Sequence, residues 1–159
     1  DRTPSVGSEM CIRARGNALQ KAKYVFDNYG FNCFADDTGL EIEVLSVAPG
    51  VYSARYAGVD CKAEDNMQKV LEKLEHEDNR NAKFRTVIAL IIKGEENLFE
   101  GECSGKITKT KSGVEGFGYD PIFIPEGHGI TFAEMSKQEK GAISHRGKAV
   151  KQLVGFLHR

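Results

Sequence analysis

The sequence predicts an α/β protein, a mixed β-sheet flanked by helices, on three observations. Apolar residues recur at helical spacing in three separated stretches. A β-branched run, Val87-Ile88-Ala89-Leu90-Ile91-Ile92, sits between them and reads as a central strand. The segments after that strand are short and hairpin-like, which excludes an all-parallel sheet.

Residues 17–29 carry Ala18, Leu19, Ala22, Val25 and Phe26 on one helical stripe, and Gly30 stops that helix. Residues 31–35 read as a short buried strand. Leu40, Ile42 and Val44 alternate with Glu41 and Glu43 in a second, half-exposed one. Residues 63–77 form a helix with Met67, Val70, Leu71 and Leu74 inward; its charges are a solvated face. The central strand covers residues 84–92. Residues 98–103 and 105–110 follow as a hairpin, and residues 121–124 as another strand. Ser136 and Glu139 form a capping-box pattern that places a helix start near Lys137. A last helix over residues 144–157 turns Ala149, Val150, Leu153, Val154 and Leu157 inward.

The 159 residues suit one domain with a sizeable core. With 22 basic against 23 acidic residues there is no basic surplus for duplex nucleic acid, so charged ligands must be met by local clusters. The longest apolar run is too short to cross a bilayer, and no membrane partner is expected. Cys11, Cys33, Cys61 and Cys103 form no C-x-x-C pair, so reduced thiols and a cytoplasmic location are expected. His76, His128, His145 and His158 lack the close spacing of zinc ligands.

The chemistry concentrates in two blocks. In the first, the apolar lead-in Phe34-Ala35 delivers Asp36 and Asp37 onto Thr38 and Gly39, and Arg55 follows a Pro49-Gly50 turn. Adjacent strand residues point to opposite faces, so the two carboxylates are expected to cooperate where the strand ends and Gly39 turns the chain. There both would hold one Mg²⁺, a cation bound by one or two carboxylates plus substrate phosphates. The same residues also suit a solvated turn. Arg55 suits either a phosphate or a carboxylate partner. In the second block, Gly116-Phe117-Gly118-Tyr119-Asp120-Pro121 offers an aromatic between glycines, able to stack on a base. Ser144-His145-Arg146 opens the last helix with amides and basic side chains that suit an anion.

Taken together, residues 35–40, 48–58, 116–121 and 142–147 resemble the inosine/xanthosine triphosphate pyrophosphatases, which hydrolyse aberrant purine nucleoside triphosphates. The resemblance runs from about Asn17 to the C-terminus. It implies an elongated mixed sheet with a nucleotide cleft between two lobes, a Mg²⁺ cofactor and a homodimer. It further implies Asp37 as base or metal ligand, with Asp36 beside it in the metal shell and Thr38 standing for the more usual serine. Phe117, Gly118, Tyr119, Asp120, Lys140, His145 and Arg146 are implied as substrate contacts. Donors aimed at a purine O6 favour inosine and xanthine over adenine, whose amine is itself a donor. Ser144-His145-Arg146 belongs to the purine-specific group, against a relative acting on modified pyrimidines.

Residues 1–15 show no period of either kind and are expected to stand outside the domain formed by residues 16–159. Residues 3–13 look like translated sequencing-adapter DNA joined to a truncated reading frame, the alternative being a divergent natural N-terminus. Relatives carry a Ser/Thr-x-Asn-x-x-Lys loop that grips triphosphate, and a metal-binding glutamate where Gly16 stands here. The resulting alternative is a catalytically impaired nucleotide-binding fragment of the same fold.

Overall fold

A computed structural model describes residues 6–159. The elements run α1 (Val6–Tyr29), β1 (Cys33–Ile42), β2 (Pro49–Gly50), α2 (Ala63–Lys73), β3 (Asn81–Ile92), β4 (Glu95–Ile107), β5 (Phe123–Pro125), α3 (Lys137–Ile143) and α4 (His145–Leu157). Short 3-10 turns fill several of the connections. One sheet in the order β2-β1-β3-β4-β5 forms the frame, and each of its pairings is antiparallel. The α/β class stands, but the strands do not run in mixed directions.

The long strands have a common cause. The apolar run of β3 pairs with β1 from Cys33–Ile91 to Ile42–Ala82, and with β4 from Ile92–Glu95 to Asn81–Lys106. Burial of β3 between neighbours on both sides makes it worthwhile for each neighbour to stay extended throughout. The expected break at Asp36-Asp37 is therefore absent. The expected hairpin over residues 98–110 is one strand, turned from β3 at Lys93-Gly94. Gly39 makes no turn. It lies inside β1, where an added Cβ would stand 2.5 Å from the Gly50 carbonyl.

Helices cover the two faces. On one, Ala14, Ala18 and Ala22 of α1 pack on Val87, Ala89 and Ile91. Their four-residue spacing and small size let the helix lie close to the sheet. The stripe thus starts one turn before the expected helix, and residues 6–15, read as aperiodic, form the first turns of α1. The rest of that segment, residues 1–5, lies outside the described residues. On the other face, Ala149 and Leu153 of α4 pack on Ile88 and Leu90. A larger core joins Leu40, Ile42 and Phe84 to Val70 and Leu74 of α2 and to Phe123, Phe132 and Ile122. The helix starts follow their sequence signals. Ser136 accepts from Glu139 N while Glu139 accepts from Ser136 N, and Ser144 caps α4 by accepting from Gly147 N.

Candidate active site

Beyond Gly39, on the side away from β3, β1 pairs with β2 only at Leu40 and Glu41. Asp36, Asp37 and Thr38 consequently lie along a strand edge that opens into a cleft of about 840 Å³. The opposite wall is the loop carrying Phe117 and Asp120, together with Lys140 of α3 and His145 and Arg146 of α4. Gly118 and Tyr119 complete the set: every residue implied as a metal or substrate contact lines this one cleft. A second hollow of about 870 Å³, lined by Glu41, Lys83, Lys106 and His128 among others, contains none of them.

Strand alternation separates the carboxylates. Asp37 faces α1, where Lys21 Nζ lies 3.3 Å from its Oδ1 and also donates to the Asp36 carbonyl at 3.0 Å. Asp36 faces α4 and accepts from Arg146 Nη2 at 2.8 Å. The same guanidinium nitrogen donates to Thr38 Oγ1 at 3.2 Å, and Thr38 meets the fully buried Thr86 hydroxyl at 2.8 Å. The expected strand end is therefore corrected: no turn follows the two aspartates, so their side chains keep to opposite faces of β1. Among the described residues no group of three or more His, Cys, Asp or Glu side chains converges as a metal cage. A single carboxylate suffices for Mg²⁺ when phosphates supply the other oxygens. Asp37 fits that part, while Asp36 is paired with Arg146.

The opposite wall is cationic around an aromatic. Phe117 is 63% exposed, with Lys140 Nζ 4.7 Å and the Arg146 guanidinium 5.3 Å from its ring centre. Buried Asp120 holds the loop in this shape, accepting from Phe117 N at 3.0 Å and from Lys140 Nζ at 2.5 Å. Gly116, at φ +76°, is required here, because a Cβ would run into that carboxylate. Tyr119 also anchors the loop from behind: its ring is buried and its hydroxyl donates to Ser53 O at 2.6 Å. Burial raises its phenol further above the usual range.

His145 is buried and stacks on Phe84 at 4.6 Å, with Nδ1 free of any partner. Burial first, and then the nearby Arg146 and Lys140 charges, hold its pKa down to about 3, so the ring is neutral at any ordinary pH. Arg55 lies outside the cleft lining and pairs with no carboxylate among the described residues. Sequence reasoning missed Lys21 and Thr86. Lys21 resembles any wet-face lysine of a helix, and Thr86 any β-branched strand residue, so neither carries a local signal.

An α/β fold whose strand edge sets a carboxylate–lysine pair against a cation-flanked aromatic defines a protein built to hold an anionic, flat-ringed ligand. A sequence model of the Ham1 family matches residues 4–156, and the chain belongs to that family. It is 55% identical to the dITP/XTP pyrophosphatase of Christiangramia forsetii, over 90% of this chain and 75% of that protein. It is 57% identical to the dITP/XTP pyrophosphatase of Flavobacterium psychrophilum, over 89% and 75%. The solved Ham1 protein of Staphylococcus aureus superposes with a TM-score of 0.86 at 42% identity, covering 89% of this chain and 74% of its own. That of Coxiella burnetii gives 0.87 at 43%, covering 91% and 76%.

Proposed function

We propose that the protein hydrolyses non-canonical purine nucleoside triphosphates, such as dITP, ITP and XTP, to the monophosphate and pyrophosphate. The observation that carries this reading is the pairing of Asp37 and Lys21 on one wall of the cleft with Phe117, Lys140 and Arg146 on the other. Those groups suit the charged end and the flat end of one nucleotide. The names of the relatives point to the same substrates.

In this reading Phe117 stacks on the base and Arg146 and His145 read its edge. A neutral imidazole suits that work because it offers one donor and one acceptor nitrogen without adding charge. Thr38, Gly118 and Asp120 shape the pocket around the nucleotide, with Tyr119 behind them. Lys21 gathers phosphate charge, and Lys140 contacts the nucleotide beside Phe117. Asp37 accepts the proton of the water that attacks in line at the α–β anhydride. A bound Mg²⁺, with Asp37 as its protein carboxylate, would neutralise charge on the phosphoryl oxygens. We further propose a homodimer in a reducing, cytoplasmic setting, the latter supported by four free thiols.

The test is release of pyrophosphate from ITP, dITP, XTP and ATP, with Mg²⁺ and after its removal by chelation. Hydrolysis of the inosine and xanthosine nucleotides well ahead of ATP, lost on chelation, is expected. A chain that binds ITP without releasing pyrophosphate would overturn the catalytic reading.

A further inference from the structure

We infer that Thr86, a residue of the central strand that touches no ligand, is a positioning residue for Arg146 and thereby sets how sharply the cleft distinguishes its bases. The inference deepens the reading above and rests on it for its substrate arm.

Thr86 is fully buried, and its hydroxyl meets that of Thr38 at 2.8 Å across the β1–β3 register. A buried hydroxyl is costly beside an equally shaped apolar group unless it is bonded, so valine would serve the core of β3 better. What the hydroxyl adds follows from counting protons. Thr38 Oγ1 has one proton to give and two lone pairs. Arg146 can only donate, and it occupies one lone pair at 3.2 Å. The carboxylate Oδ2 of Asp36, 3.4 Å away, can only accept, and it draws the Thr38 proton. The second lone pair of Thr38 is left for the proton of Thr86. All four groups are satisfied together when Thr86 donates to Thr38 and Thr38 to Asp36, with Arg146 donating into both Asp36 and Thr38.

That order matters because the Asp36–Arg146 pair is weak on its own. Both side chains are 41% exposed. Pairs at such exposure contribute little and sample many geometries. The buried end of the chain of hydroxyls holds them. Without the Thr86 hydroxyl, the Thr38 side chain loses its 2.8 Å anchor to β3, and the oxygen that Arg146 donates to is free to turn away from the guanidinium. Arg146 then keeps its charge but loses its place beside Phe117.

The experiment compares Thr86→Val, which keeps the shape and removes the hydroxyl, with Thr86→Ser, which keeps the hydroxyl. Two readouts are taken on the whole chain. One is the KM and kcat for ITP and ATP. The other, independent of turnover, is the set of side-chain resonances of Arg146 in ¹⁵N-arginine-labelled protein, identified by their loss in Arg146→Lys. In Thr86→Val the KM for ITP should rise about fivefold, the effect of one hydrogen bond. The ITP-to-ATP ratio of kcat/KM should narrow while kcat changes little, and the Arg146 resonances should lose their dispersion. Thr86→Ser should restore all of these. Equal behaviour of valine and threonine in both readouts overturns the inference, as does equal impairment in the valine and serine variants, which would implicate shape. If the wild-type chain fails to turn over ITP yet its Arg146 resonances depend on the hydroxyl, positioning stands and the substrate reading falls.

Discussion

Asp36 and Asp37 are joined by one peptide bond and work on opposite faces of β1. Asp36 serves Arg146, and Asp37, only 16% exposed at its side chain, stands with Lys21 as the acceptor left for a proton or a metal. Replacing Asp37 by Asn should therefore lower pyrophosphate release at least ~10²-fold. The urea midpoint should move little, since Asn keeps the shape and the lost partner, Lys21, is itself 55% exposed. Full turnover in Asp37→Asn would remove it from the site. His145 gives a second test at this scale. An unperturbed histidine titrates near 6.5, and burial holds this one down to about 3. Between those values the unfolded chain takes up a proton that the folded chain refuses. Stability is thus fully present above the upper value and is lost as pH falls towards the lower. The slope is at most ~1.4 kcal/mol per pH unit. His145→Phe, which keeps a ring against Phe84, should flatten that slope in urea titrations between pH 7 and 5. An unchanged slope would show that other groups cause it.

At the scale of elements, α4 is placed by a glycine in the strand beneath it. A Cβ on Gly101 would run into the His145 carbonyl and stand 2.8 Å from Ala149 N. Gly101→Ala should push the N-terminal end of α4 off β4, at a cost of ~1–3 kcal/mol for the overpacking. It should also raise the KM for ITP, because His145 and Arg146 ride on that end. Gly105→Ala is the control. Its Cβ would meet Ile124 and Phe123 of β5, away from the cleft, so it should lower stability and leave KM alone. If both substitutions spare KM, the seat of α4 on Gly101 does not govern the site.

Across the whole molecule the two walls of the cleft are tied behind the site as well as through it. Tyr119 reaches from the Phe117 loop to Ser53 O. Ser53 Oγ accepts from Leu40 N and donates to Gly50 O. Asn66 of α2 adds a bond from its amide to Ala54 O at 2.9 Å and accepts from Ala57 N at 2.7 Å. Loop, edge strand and α2 are thereby held in one polar network. Tyr119→Phe removes a buried bond without changing shape and should cost ~1–2 kcal/mol in urea unfolding at constant m. It should also raise the KM for nucleotides of every base alike, because the loop is loosened as a unit. A change confined to one base would make the Tyr119 hydroxyl a reader of the base instead.

By itself the sequence determined the α/β class, the α2, α3 and α4 helices and two of the segments that line the cleft. Helical spacing, the Ser136–Glu139 box and the Ser144 cap are local signals, sufficient because each depends on residues within one turn. The glycine-flanked Phe117 and the paired aspartates were legible for the same reason. Only the tertiary structure decided that β1 runs unbroken past those aspartates, because the cause lies in β3, whose buried run extends its neighbours. Only it sent Asp36 to Arg146 and Asp37 to Lys21, since alternation separates the pair once no turn intervenes. Lys21, Thr86 and the Tyr119 tether stayed invisible because each acts on a partner at least fifteen residues away, fixed by register and helix docking and by nothing in its own neighbourhood.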